Sequence, residues 1–237
     1  MSKETIEHGK ITSDENDRQD HWINEIRAVV NEPIPPDLPE PPVDVLPWLY
    51  LGPRRCLNDL SKLQHDIGIT HVLSMNAMQP ESVVQELYYT LLSEGIEHCY
   101  VPTLDILGYP LLPKHWDECH EFLQPVMEDY CRYVCWLNNG GGDGGDGDKS
   151  TIPSSFLNDE PQDSNNKEKD HSKVFVHCEA GINRSGTIVA AAMMHFAKIP
   201  MLDAIRQLKR QRGIIMTNAT FQEQLVEFAK SSHGCFG

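Results

Sequence analysis

The chain has no apolar run near the roughly 20 residues that a bilayer-spanning helix needs, no internal repeat and no surplus of basic residues. Its seven cysteines, at 56, 99, 119, 131, 135, 178 and 235, are odd in number and contain no CxxC pair. That pattern argues against a disulfide framework and against a zinc ribbon. The opening stretch MSKETIEHGKITSDENDRQD is polar and acidic, unlike a secretory or transit signal. These absences lead us to expect a cytoplasmic or nuclear protein with reduced thiols and no membrane contact.

What is present begins with acidity. The 237 residues carry a formal net charge of −15, with ten acids against four bases in residues 1–42 and eight against three in 138–172. A surface this acidic disfavours salt-driven binding to a nucleic-acid backbone, so no nucleic-acid partner is expected. With 40% hydrophobic residues and 23% charged ones, the remainder has the composition of an ordinary folded domain.

Three segments divide the chain. Residues 1–42 read as an acidic, proline-rich arm: 1–20 lack burial signals, HWINEIRAVVNE (21–32) has helical apolar spacing, and prolines 33–42 form an extended connector. The short helix either docks on the domain or a partner, or covers core surface, and its amphipathic stripe favours the last. Residues 43–233 read as the folded domain. Within it, 138–172 (NNGGGDGGDGDKSTIPSSFLNDEPQDSNNKEKDHS) is too poor in apolar residues to order itself and is expected to be a flexible insertion. Its DGGDGD lacks the helical flanks and terminal glutamate of a calcium loop.

Inside the domain, strands are expected at 47–52, 70–75, 96–102 and 174–177. Helices are expected at 56–67, 81–94, 113–137, 185–197, 201–211 and 219–230, with Pro125 kinking or splitting the third and Asn218 capping the last. Strands alternating with helices define an α/β fold with a central, mostly parallel sheet flanked by helices.

The chemistry concentrates at VFVHCEAGINRSGTIVAAAMMHF (174–196), where a strand passes through a short loop into a helix. Ligands in such sheets bind beyond the carboxyl ends of the strands, and Cys178 stands at that point. Backbone N–H groups of Glu179, Ala180, Gly181, Ile182, Asn183 and Arg184 can curl around one oxyanion, with Gly181 and Gly186 permitting close approach. The same field favours a thiolate at Cys178. Arg184 adds a planar fork for two phosphate oxygens. Ser185 is placed to donate a hydrogen bond to the sulfur, in the resting state and when the thiolate leaves.

His177-Cys178-x5-Arg184-Ser185 resembles the signature loop of the cysteine-dependent protein phosphatases. The strand ahead and the helix behind supply the context that this motif requires. With LPWLYLG, GITHVLSM and RGIIMTNATFQEQL, the similarity runs over residues 43–231 and is to the dual-specificity phosphatases, which implies a protein tyrosine phosphatase-like fold. It further implies hydrolysis of phosphotyrosine and phosphoserine or phosphothreonine through a phosphocysteine, without metal or other cofactor. The partner class is then a phosphoprotein, a protein kinase being one such substrate. The general acid of that family follows the third strand, which in YVPTLDILGYPLL is Asp105. Two positions depart from the family pattern: Asn183 replaces a common serine, and Thr217 stands where proline often precedes Asn218. An Asn-Arg pair also resembles RNA 5′-triphosphatases of the capping type. That reading stays open, as does a phosphoprotein-binding pseudophosphatase.

Other candidates have competing readings. His177 is expected behind the loop, orienting it, in preference to shuttling protons. His115, Cys119, His120, Cys131 and Cys135 share one helical region, which favours packing over zinc. Arg206, Lys209, Arg210 and Arg212 in RQLKRQR form either a solvated helix face or a subsite for acidic phosphopeptides. Cys99 is a candidate resolving partner for an oxidised Cys178. No basic kinase-docking stretch occurs in the N-terminal arm.

Overall fold

The computed structural model describes residues 13–138 and 171–231. The expectations for 1–12 and for 139–170, most of the proposed insertion, lie outside these residues.

Five strands form one sheet in the order β1-β2-β5-β3-β4. They are β1 (Val43–Leu46), β2 (Leu49–Pro53), β3 (His71–Ser74), β4 (Glu97–Tyr100) and β5 (Val174–Cys178). All neighbours run parallel except β1 and β2, which form a tight antiparallel pair. The α/β layer expected from the alternation is therefore observed, with β1 added at an edge directly after the proline-rich connector.

Six α-helices among the described residues pack around the sheet: α1 (Ser13–Val30), α2 (Glu81–Ser93), α3 (Leu111–Asn138), α4 (Arg184–Ala197), α5 (Met201–Arg212) and α6 (Ala219–Ser231), with α2 to α5 against strands and α1 and α6 mainly against other helices. Alternation along β5 sorts the two faces. Val174, Val176 and Cys178 join the large core built from α1, α3, α4, α5 and α6. Phe175 joins a smaller core under α2 with Leu63, Ile69, Val72, Leu91 and Ile96. Helix α4 runs through the middle of the large core, buried from Arg184 to Met194. This is why its sequence is apolar on every side.

Four expectations change. Residues 13–20 are helical, because α1 is anchored by the buried Ile23, Ile26 and Val29 and helix propagation from an anchored turn is cheap. Lys230 Nζ, on α6, reaches Gln19 Oε1 at 3.3 Å. Helix α3 is not split at Pro125: the proline and Glu121, whose carbonyl it leaves without a donor, are both exposed, so water can serve that carbonyl. The stretch expected as helix 56–67 consists of a 3₁₀ turn (Arg54–Asn58) and a π turn (Lys62–Asp66).

RQLKRQR is likewise not a uniform solvated face. Lys209 is 4% exposed, and its Nζ donates to the Val30 carbonyl at 2.7 Å, closing the C-terminus of α1. Arg206 pairs with Asp203, Arg210 is exposed, and Arg212 turns towards the β5–α4 loop.

Candidate active site

Residues 178–184 form a loop whose carbonyls are engaged from outside. Glu179 O accepts from Arg54 N at 3.2 Å, Ala180 O from Arg212 Nη2 at 3.2 Å, and Ile182 O from Met216 N at 3.2 Å. Across a trans peptide the C=O and the next N–H point in opposite directions. The N–H groups of Ala180, Gly181 and Asn183 are thereby turned to the loop interior. Gly181 (φ +68°) allows this: a Cβ there would lie 2.5 Å from Gly52 C and 2.6 Å from Gly52 O. A Cβ on Gly186 would meet Ile215 Cδ1 at 2.6 Å. Both glycines thus serve close packing of protein on protein, where the sequence suggests approach to a ligand. Among the loop side chains, Glu179 is exposed and 3.9 Å from Arg54 Nη1.

Cys178 is 1% exposed at the end of β5. Ser185 Oγ donates to its sulfur at 3.1 Å, the contact expected from the sequence. Arg184 is 8% exposed and its Nη1 donates to the Thr103 carbonyl at 3.2 Å. Its buried Nε–H has no acceptor among the described residues. A buried guanidinium with a spare donor beside inward-facing amides is suited to an oxyanion.

Asp105 lies on the loop between β4 and α3, exposed, and is brought to the 178–184 loop by two side-chain amides. Asn183 Nδ2 reaches its Oδ1 and Oδ2 at 3.2 and 3.0 Å, and Asn218 Nδ2 reaches Oδ1 at 3.0 Å. The sequence places Asn183 among the oxyanion-binding residues; its side chain is directed to Asp105 instead, leaving only its backbone to the loop. Asn218 caps α6 as expected, its Oδ1 accepting from Thr220 N at 3.1 Å. The same end of α6 holds the Asp105 loop further, through Asn218 Nδ2 on Ile106 O and through Thr220 Oγ1, which accepts from Gly108 N.

His177 faces the opposite side of the sheet from Cys178, stacked on Phe175. Its Nε2 lies 2.7 Å from Ser74 Oγ, which lies 2.8 Å from His98 Nε2. Burial pushes His177 down to about 3, with hydrogen bonding to the Cys178 backbone opposing it, and pushes His98 down to about 4. Both rings are neutral at pH 7 and brace the strand behind the loop. Ser74 and His98 carry no motif signal; only the register of β3 between β5 and β4 brings them together.

Cys99 does not adjoin the site. It sits on β4 with β3 between it and β5, about two strand spacings or 10 Å away, and burial raises its thiol to about 11. Of the α3 cysteines and histidines Cys135 is exposed, and the other four serve packing. Cys119 is fully buried, His120 stacks on Phe196, His115 Nε2 lies 2.7 Å from Tyr109 Oη, and Cys131 Sγ lies 3.4 Å from Met127 Sδ. No helix among the described residues is long and apolar enough to cross a membrane.

Comparison with known proteins accords with this geometry. The family model for "Dual specificity phosphatase, catalytic domain" matches residues 49–231. Dual specificity protein phosphatase 2 of Homo sapiens is 27% identical over 187 residues, covering 79% of this chain and 43% of that protein. Dual specificity protein phosphatase 1-A of Xenopus laevis is 36% identical over 187 residues, covering 79% of this chain and 37% of that protein. The chain thus spans under half the length of both relatives. The crystal structure of DUSP15 superposes with a TM-score of 0.53 at 27% identity, covering 81% of this chain and 90% of that one. With the family matched across most of its length, the chain belongs to the dual specificity phosphatases and carries their catalytic domain.

Proposed function

We propose that this chain hydrolyses phosphate monoesters on tyrosine and on serine or threonine of phosphoproteins, through a phosphocysteine. The observation that carries this reading is the buried Arg184, fixed on the Thr103 carbonyl with its Nε–H unpaired among the described residues, next in sequence to the serine that touches the Cys178 sulfur. In the first step the Cys178 thiolate attacks phosphorus while the loop amides and Arg184 hold the equatorial oxygens. Asp105, protonated, gives its proton to the departing oxygen as the P–O bond breaks. In the second step Asp105 takes a proton from water as that water attacks phosphorus. The S–P bond breaks, phosphate leaves, and the sulfur electrons return to a thiolate that Ser185 stabilises.

A protein substrate suits the rim. Leu104, Ile106 and Leu107, flanking Asp105, are exposed and apolar, whereas a triphosphate RNA end calls for a basic mouth. A free thiol as nucleophile further suits a reducing compartment, cytoplasm or nucleus, and a role in reversing kinase signals.

The test is rapid acid quenching of the enzyme with a labelled aryl phosphate and a phosphopeptide. Wild type should give an acid-stable phosphoenzyme and a burst of product, and Cys178→Ser neither. Absence of phosphoenzyme and turnover from reduced wild type would refute the proposal. Faster release from triphosphate-ended RNA than from phosphopeptides would reassign the substrate.

A further inference from the structure

We propose that Asn183 is a positioning residue for the general acid, a latch that ties the Asp105 loop to the phosphate-binding loop. The inference rests on the proposed function and adds to it a role for a side chain within the signature loop.

Asn183 stands at the N-cap of α4, where an asparagine ordinarily turns its oxygen onto the first free N–H groups of its own helix. It makes no such bond. Its carboxamide faces outwards and connects three other groups. Nδ2 reaches both oxygens of Asp105, while Oδ1 accepts from Thr217 Oγ1 at 3.1 Å and from Asn218 N at 3.2 Å. The two acceptor contacts fix which way the amide points, since the reverse orientation would set an oxygen against the carboxylate.

The far end of the latch is itself immobilised. Met216 has a left-handed backbone (φ 49°), with its N–H on Ile182 O and its carbonyl accepting from Gln222 Nε2 at 2.7 Å. A non-glycine residue holds that conformation only when its surroundings impose it. Thr217 and Asn218 are therefore presented to Asn183 by a segment already tied to the phosphate-binding loop. The two positions that depart from the family pattern, 183 and 217, touch each other, and a proline at 217 would bring no hydroxyl.

The consequence falls on the acid. An exposed aspartate on a loop with an exposed apolar tip samples several rotamers, and transfer to a leaving oxygen requires one of them. Asn183 selects that one from the loop that holds the phosphoryl group, so acid and phosphorus keep a fixed relation. Asn218 also donates to Asp105, so loss of Asn183 weakens the placement without abolishing it.

The test compares phosphoenzyme formation from phenyl phosphate, a poor leaving group, and from 4-nitrophenyl phosphate, a good one, in wild type and Asn183→Ser. Both are repeated in the Asp105→Asn background. Loss of a hydrogen bond to the neutral acid, about 1 kcal/mol, should slow phenyl phosphate by about fivefold, slow 4-nitrophenyl phosphate by a clearly smaller factor, and add nothing to Asp105→Asn. Asn183→Asp, which keeps the acceptor and loses the donor, should lose at least as much. Equal loss on both substrates, or the same loss without Asp105, would overturn the latch. Amide hydrogen exchange at residues 104–108 gives a second reading: faster in Asn183→Ser if the latch exists, unchanged if it does not. Should wild type form no phosphoenzyme, the proposed function fails and the exchange measurement decides the latch alone.

Discussion

Two loops face each other across the site and are held by opposite means. Residues 178–184 join β5 to α4 directly, pack against backbone and bury the sulfur and the guanidinium. Residues 103–108 lie largely exposed and depend on side chains from 78 to 113 positions away: Asn183, Arg184, Asn218 and Thr220. The first loop is rigid by construction, and the second is fastened to it. A rigid oxyanion cradle serves every substrate alike, while a fastened acid matters in proportion to how much the leaving group needs a proton.

The largest effect that would sharpen this contrast is Arg184→Lys. An ammonium cannot present a planar fork, so kcat/KM should fall by about 10³-fold, to a similar extent for good and poor leaving groups. A strong leaving-group dependence in this variant would erase the distinction between the loops.

The glycines offer a comparison in stability. Both Gly181 and Gly108 have positive φ, but a Cβ added at Gly181 would meet backbone within 3 Å, whereas one added at Gly108 would meet nothing within 4 Å. Gly181→Ala should cost about 3 kcal/mol, from the left-handed conformation plus overpacking, and Gly108→Ala about 1 kcal/mol. Urea unfolding of the two variants checks this, and equal costs would contradict a packed phosphate-binding loop.

Asp105→Asn acts on the fastened side. It should slow phenyl phosphate by about 10²-fold and 4-nitrophenyl phosphate far less. Uniform loss would mean that Asp105 supports the cradle and does not deliver a proton.

The same contrast explains what the sequence could reveal. Cys178, Arg184 and Ser185 are legible because strand, loop and helix are contiguous there, so spacing alone implies geometry. The side-chain role of Asn183 is not legible, because its partners come from the β4–α3 loop and the start of α6. Ser74 and His98 are invisible for a related reason: only strand register pairs them with His177. Burial, which decides that Lys209 closes α1 and that Glu121 and Pro125 face water, likewise depends on which helices meet.

The effect furthest from the chemistry concerns acid and acts from behind the phosphate-binding loop. His177 and His98 lie at about 3 and 4 in the fold against 6.5 for an ordinary histidine. As pH falls below 6.5 the unfolded chain takes up protons on these rings and the fold does not. Stability is therefore complete above that value and declines towards pH 4, by about 1.4 kcal/mol per pH unit for the fully buried His177. Urea unfolding at pH 7, 5.5 and 4.5 should show this slope, and His177→Gln should flatten it, whatever its own cost at pH 7. A residual slope will persist from His98 and from His71, His115 and His195, which burial also lowers. An unchanged slope in His177→Gln would show that the ring accepts a proton within the fold, and that the brace behind Cys178 is looser than the contact with Ser74 implies.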